Sequence, residues 1–228
     1  IDSIRNNSKM IMNISERIDN VRDDLIKPNV EWRHNSKEKK LKLLWGGQSI
    51  KLFELLRIRK FLESNSRKIN LIIVTNSLNA INKWYKPHQK DFEIMLNKVN
   101  HSFIPFTTIE NILYIYGNGG VFIAPRFLDN TYNLGHTEWK ITLAMARGRP
   151  VLCSEQPSYV DLAEKTGGRG VFICRSDDDW QRNFENLFRP DFSWINVQKT
   201  SASIVKKYYA ASVIAKQHAD FVARTLDT

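Results

Sequence analysis

Short apolar runs rich in β-formers recur along this chain, each followed by a segment of helical spacing, and no other feature restricts the fold as much. The runs are Leu41–Trp45, Asn70–Thr75, Ser102–Phe106, Gly120–Pro125, Pro150–Cys153 and Gly170–Cys174. The helical patterns after them are Ile50–Leu62, Ile109–Tyr116, Glu138–Arg147, Tyr159–Lys165 and Asp177–Phe188, while Phe92–Leu96 suits a short helix or a loop. Several runs are apolar at consecutive positions, as strands buried on both faces are. The pattern predicts an α/β fold: a Rossmann-like parallel sheet flanked by helices on both faces.

Extra helices are expected at both ends. Met12, Ile14, Ile18, Val21 and Leu25 recur near helical spacing over Ser8–Leu25, and Ser201–Leu226 reads as one last amphipathic helix. Pro28 stops the first of these, and the basic run Arg33–Lys40 reads as a linker. The expected organisation is therefore a helix and linker over 1–35, a sheet domain over 36–190 and a C-terminal helix over 191–228.

Composition narrows the partners. A chain of 228 residues with 42% hydrophobic side chains can bury a sizeable core, which sets aside long disorder and fibrous classes. Lysine plus arginine outnumber acidic residues 34 to 24, and 34 − 24 = +10 favours phosphate-bearing or other anionic partners. Cys153 and Cys174 are too few for a disulfide scaffold and lack metal-ligand spacing; they suit a reducing cytoplasm and read as buried apolar residues. The longest apolar stretch, Leu71–Val74, falls far short of the ~20 residues of a membrane span, so no transmembrane segment is expected. The chain starts at Ile1 rather than methionine, as a trimmed or excerpted sequence would.

Open parallel sheets bind ligands at the carboxyl ends of their strands, near the point where strand order reverses. The turn Trp45-Gly46-Gly47-Gln48-Ser49 lies at such an end. Its glycines let the backbone approach an anion at the start of a helix, or they satisfy the sterics of a tight turn. Lys51 adds charge there or is solvated. In Asn133–Lys140, Thr137 reads as the N-cap of a helix that carries Lys140 in its first turn and ends at Gly148 as C-cap. The segment is a cradle for a diphosphate or a capped surface helix; His136 is a surface histidine or, less commonly, a catalyst. Asp177–Asp179 either attract a metal or complement a helix macrodipole, and the macrodipole explains them better. Among the tryptophans, only Trp139 stands out as a site candidate; Trp32, Trp84, Trp180 and Trp194 read as core or interface residues.

From Gly135 through Pro150, Val151–Ser154, Tyr159–Leu162 and Gly168–Ile173 to Asp177–Trp180, the sequence resembles the C-terminal, donor-binding half of GT-B glycosyltransferases of the family 4 type. The pattern Ala144-Met145-Ala146-x-Gly148-x-Pro150-Val151 carries most of the likeness. Upstream, Pro28–Val30 is similar to the interdomain linker, Leu43–Gly46 to the first strand and glycine turn, and Ile104–Phe106 to the loop that holds the base. The resemblance implies transfer of a sugar from a nucleotide-diphosphate sugar to a glycan or other hydroxyl acceptor, without a metal cofactor. It assigns donor binding to Gly46, Gly47, Gln48, Ser49, Phe103, Pro105, Gly135, His136, Thr137, Glu138 and Lys140, with Lys140 as the catalytic cation. Leu143 stands where many retaining members carry a ribose-binding glutamate, and Glu138 lies near as a substitute. The resemblance further implies a missing N-terminal Rossmann-like domain, of which residues 1–35 are the remnant, and a crossover role for the C-terminal helix. The rival reading is a non-catalytic nucleotide- or polyanion-binding module using clusters such as Lys37–Lys42 and Arg57–Lys60; no nucleic-acid recognition signature accompanies them.

Overall fold

A computed structural model describes residues 20–31, 40–77 and 86–226 of the chain. In chain order the elements are β1 (Leu41–Gly46), a 3-10 helix (Ser49–Ile58) running into α1 (Arg59–Ser64), β2 (Ile69–Thr75), α2 (Gln89–Lys98), β3 (His101–Pro105), α3 (Ile109–Gly117) and β4 (Val121–Ala124). There follow α4 (Thr131–Leu134), α5 (Trp139–Ala146), β5 (Val151–Ser154), α6 (Pro157–Lys165), β6 (Val171–Cys174), α7 (Asp177–Asn186), α8 (Trp194–Tyr208) and α9 (Ala211–Leu226).

Side chains alternate across a strand, so β1 sends Leu41, Leu43 and Trp45 to one side and Leu44 to the other. All four are buried. The first side meets Leu52 and Leu55 of the 3-10 helix, Met95 of α2, and Trp180 and Phe184 of α7. The second meets Leu113 of α3, Ile141 and Met145 of α5, Leu162 of α6 and Val205 of α8. Helices thus cover both faces of a six-stranded sheet of order β3-β2-β1-β4-β5-β6, parallel throughout. Strand order reverses between β1 and β4, so the loops that leave those two strands diverge and open a crevice between them.

The helix expected over Ile50–Leu62 begins as 3-10 as far as Ile58. Three residues per turn eclipse positions i and i+3, which brings Lys51 over Glu54. The single helix expected over Ser201–Leu226 is two helices. The extended backbone of Val21 accounts for the break: its N–H donates to the Tyr209 carbonyl at 2.8 Å and its carbonyl accepts from the Ala211 N–H at 2.9 Å. The Asp23 carboxylate then accepts the Ser212 N–H at 3.0 Å and caps the second helix. Residues 20–25, placed at the end of the helix expected over Ser8–Leu25, hold a bridge at Val21 and a 3-10 turn at Asp23–Leu25. The earlier part of that expected helix, Trp32, Trp84 and most of the basic linker lie outside the described residues.

Gly148 ends α5 as expected. It takes φ +74°, its N–H reaches the Met145 carbonyl at 2.8 Å, and the Arg149 N–H reaches Ala144 at 3.0 Å, the pairing of a Schellman cap. Pro28-Asn29 docks there: the Asn29 amide donates to the Gly117 carbonyl at 2.9 Å and the buried Arg149 guanidinium to the Asn29 carbonyl at 2.8 Å. The acidic run Asp177–Asp179 caps α7 through a reciprocal Ser176–Asp179 box, and no cluster of metal-ligating side chains is present among the described residues. Both cysteines are free and buried. No described helix is long and apolar enough to cross a membrane.

Candidate functional site

The crevice at the strand-order reversal opens into a cavity of about 470 Å³. Its walls come from Gly46, Gly47, Gln48 and Lys51 after β1, from Phe106, Ile109, Ile112 and Tyr116 along α3, from Arg126 after β4, and from Tyr132, His136, Trp139, Lys140 and Leu143 around α4 and α5. One side is apolar and the other cationic.

The cationic side is built on Glu54. This carboxylate is fully buried, and one oxygen lies 2.6 Å from Arg126 Nη1 and 4.0 Å from Lys51 Nζ, the other 3.5 Å from Lys140 Nζ. Arg126 is held from behind, since its backbone N–H donates to Ser154 Oγ at the end of β5 at 2.8 Å. Lys51 Nζ donates to Asn133 Oδ1 at 3.2 Å and sits 4.3 Å from the centre of the Tyr132 ring; Lys140 Nζ lies 5.7 Å from that of Trp45. Burial lowers the Lys140 ammonium to about 8, an effect that Glu54 opposes and Arg126 reinforces. Burial likewise lowers Lys51. His136 is pushed below its ordinary range by burial and then by the charges of Arg126 and Lys51, so its imidazole is neutral at pH 7. Its ring Nε2 is buried without a hydrogen-bond partner. Three cations facing one carboxylate leave an excess of positive charge at the rim of the cavity, an arrangement suited to a small polyanion.

The sequence-predicted residues divide between two places. Lys140, Gly46, Gly47, Gln48 and His136 meet in this cavity, and Trp139 joins them. The Gly47 N–H is engaged with the Val74 carbonyl at 3.2 Å, and the N–H of Ser49, a buried residue off the cavity wall, donates to Asn76 Oδ1 at 2.8 Å. Phe103 and Pro105 are exposed on the edge strand β3 and do not reach the cavity; Phe106, the next turn-ward residue of the same stretch, does. Gly135, Thr137 and Glu138 face a second cleft of about 420 Å³, shared with Ser158, Asp161 and Lys165 of α6 and with Tyr208 and Tyr209, and His136 lines both. Glu138, not Thr137, holds the N-cap position of α5.

Glu138 is therefore no substitute for a ribose-binding carboxylate. It is buried and accepts the Tyr209 hydroxyl at 2.6 Å, which ties the start of α5 to the break between α8 and α9, and burial raises its pKa. Tyr209→Phe leaves that carboxyl short of its partner. The expected cost is about 1–2 kcal/mol, read as a melting temperature lower by about 4 °C for a chain of this size.

Arg126 and Glu54 were not among the expected site residues. Glu54 left one signal: it is a lone carboxylate inside Leu52-Phe-Glu-Leu-Leu56, a stretch whose helix also buries Leu52, Leu55 and Ile58. Charged residues at inward positions are paired when they occur at all. Arg126 left none, being an arginine in an irregular loop after Pro125.

No protein-family profile and no curated protein matches this sequence. Solved structures do match in fold. The HepE protein of Anabaena, in complex with UDP and glucose, has TM-score 0.66 at 12% identity over 90% of this chain and 55% of that one. Sucrose-phosphate synthase of Thermosynechococcus elongatus has TM-score 0.61 at 14% identity over 91% of this chain and 51% of that one. A glycosyltransferase of Rickettsia africae has TM-score 0.62 at 11% identity over 91% and 56%. The chain spans about half the length of each. Its fold is that of the Rossmann-like half of GT-B glycosyltransferases.

Proposed function

We propose that this chain is the donor-binding half of a glycosyltransferase and that its cationic cavity takes the diphosphate of a nucleotide-diphosphate sugar. The convergence of Lys51, Arg126 and Lys140 on one rim of the cavity is the observation that carries this reading. The apolar side formed by Phe106, Ile109 and Ile112 accepts the base. In transfer, the bond from the anomeric carbon to the diphosphate oxygen breaks and its electron pair leaves with the diphosphate. Lys140 and Arg126 then stabilise charge where it develops, so that side chains rather than a metal supply the neutralisation. The hydroxyl acceptor and the base that deprotonates it belong to a second Rossmann-like domain. That the HepE structure holds UDP in a protein of the same fold supports the assignment.

Titration of the chain with UDP, GDP, ADP and dTDP at moderate salt tests it. At least one is expected to bind, with Lys140→Ala weakening it by about 10–100-fold, the range of a lost charge-assisted contact. Lys60→Ala, at an exposed position on α1, changes nothing. Binding of polyanions alone, indifferent to Lys140, overturns the reading.

The lowered Lys140 pKa gives a second check. The ammonium is charged below about 8 and binds a diphosphate only in that form. Affinity is thus full at pH 7 and falls as pH rises through 8, by roughly tenfold over the next one to two units. Lys140→Arg, whose guanidinium stays charged, is expected to flatten the profile.

A further inference from the structure

Each cation of the cavity already faces an anion, the Glu54 carboxylate, at 2.6, 3.5 and 4.0 Å. That carboxylate is fully buried, and only one of its oxygens carries a hydrogen bond in the structure; the other, facing Lys140, has none. A diphosphate drawn to these cations must share them with Glu54. Three cations and one carboxylate leave 3 − 1 = 2 positive charges, and the neutral His136 adds none.

Two is the number of negative charges on the doubly esterified diphosphate of a nucleotide sugar. Once the bond to the sugar breaks, the terminal phosphate is no longer esterified and gains a second ionisation at about 6, like that of a phosphate monoester, so the nucleoside diphosphate carries a third charge. That charge meets no further cation among the described residues of the cavity and is repelled by the fixed carboxylate beside them. Fixed charges in a partly desolvated site act on each other more strongly than across bulk water.

Resting on the donor-site reading above, we propose that Glu54 is a specificity-determining residue: it matches the cavity to the sugar-bearing donor and weakens the hold on the nucleoside diphosphate product. It is a positioning and charge-setting group, and it makes no contact with the reacting atoms. Its place on a rigid helix, eclipsed with Lys51 and hydrogen-bonded to Arg126, keeps both cations aimed at one spot while limiting the total charge they present.

The test is the ratio of two affinities. Whichever of UDP, GDP, ADP and dTDP binds the wild-type chain is titrated beside its glucose ester, in wild type, Glu54→Gln and Glu54→Asp. Glu54→Gln removes the charge and keeps the volume; it is expected to tighten the nucleoside diphosphate about tenfold more than the ester. Glu54→Asp withdraws the charge by one methylene and is expected to shift the ratio in the same direction by a few-fold. A merely structural Glu54 predicts equal weakening of both ligands, and that result, or an unchanged ratio, overturns the proposal. Should neither variant fold, the carboxylate is a stability element and the proposal also falls. A wild-type chain that binds none of the four nucleotides refutes the donor-site reading instead, which keeps the two failures apart.

Discussion

Arg126→Ala is expected to lower the melting temperature of this chain by about 10 °C and to abolish nucleoside diphosphate binding. The first effect follows from what the substitution leaves behind. Glu54 and Arg126 are 0% and 6% exposed and 2.6 Å apart, and removing one partner of a buried pair costs about 3–5 kcal/mol because the other charge is stranded. Lys140 and Lys51 remain within 4.0 Å of the carboxylate, which places the loss near the lower end, about 3 kcal/mol. For a chain of this length each kcal/mol shifts the midpoint by about 2–4 °C. The second effect follows because Lys51 and Lys140 against Glu54 leave one excess positive charge where three cations left two, and the guanidinium's own donors are lost with it. The check is a double-mutant cycle read by thermal denaturation. Glu54→Gln combined with Arg126→Ala is expected to cost less than the two single losses added, since the carboxylate stranded by Arg126→Ala is then gone, even though Lys140 and Lys51 lose their counter-charge. Equal or greater loss in the double variant contradicts the assignment of this pair as the electrostatic anchor of the site.

Much of the architecture was legible because its determinants are local. Leu43–Trp45 and Val121–Ala124 are apolar at adjacent positions, and only a strand covered on both sides buries such runs. Lys140 was legible through the pattern that follows it. The misreadings come from geometry that sequence distance hides. Glu138 and Lys140 were assigned to one site, yet residues two apart on a helix point to nearly opposite sides. Lys140 and Leu143, three apart, share a face and a cavity, while Glu138 turns to Tyr209. Glu54 and Arg126 are 72 positions apart and meet only because β1 and β4 are neighbours at the order reversal. The break at Tyr209–Ala210 has no glycine or proline to announce it. It is imposed by Val21, a contact across most of the chain.

The two readings of the glycine turn, phosphate contact and steric need, are separable by experiment because its two members sit in different surroundings. A Cβ built on Gly46 would lie 1.7 Å from the Tyr116 hydroxyl and 2.9 Å from its Cζ. The ring cannot swing aside: Tyr116 is buried and packs edge-on against Phe122 with centroids 5.0 Å apart. Gly46→Ala must therefore separate β1 from α3, with an expected loss of about 3 kcal/mol and a melting temperature lower by about 9 °C. Because Gly46 and Tyr116 both line the cavity, ligand affinity is expected to fall with it. Gly46→Ala with Tyr116→Phe removes the hydroxyl but leaves ring carbon in the way, so rescue is partial. Gly47 differs. Its Cβ would meet only the rim of the Trp45 indole at 3.1 Å, and its N–H is already engaged with Val74. Gly47→Ala is expected to cost under about 1 kcal/mol and to change nucleotide affinity by no more than a few-fold. If Gly47→Ala instead abolishes binding in a folded chain, a backbone donor at this turn grips the phosphates, and the cations around Glu54 are not the principal anchor.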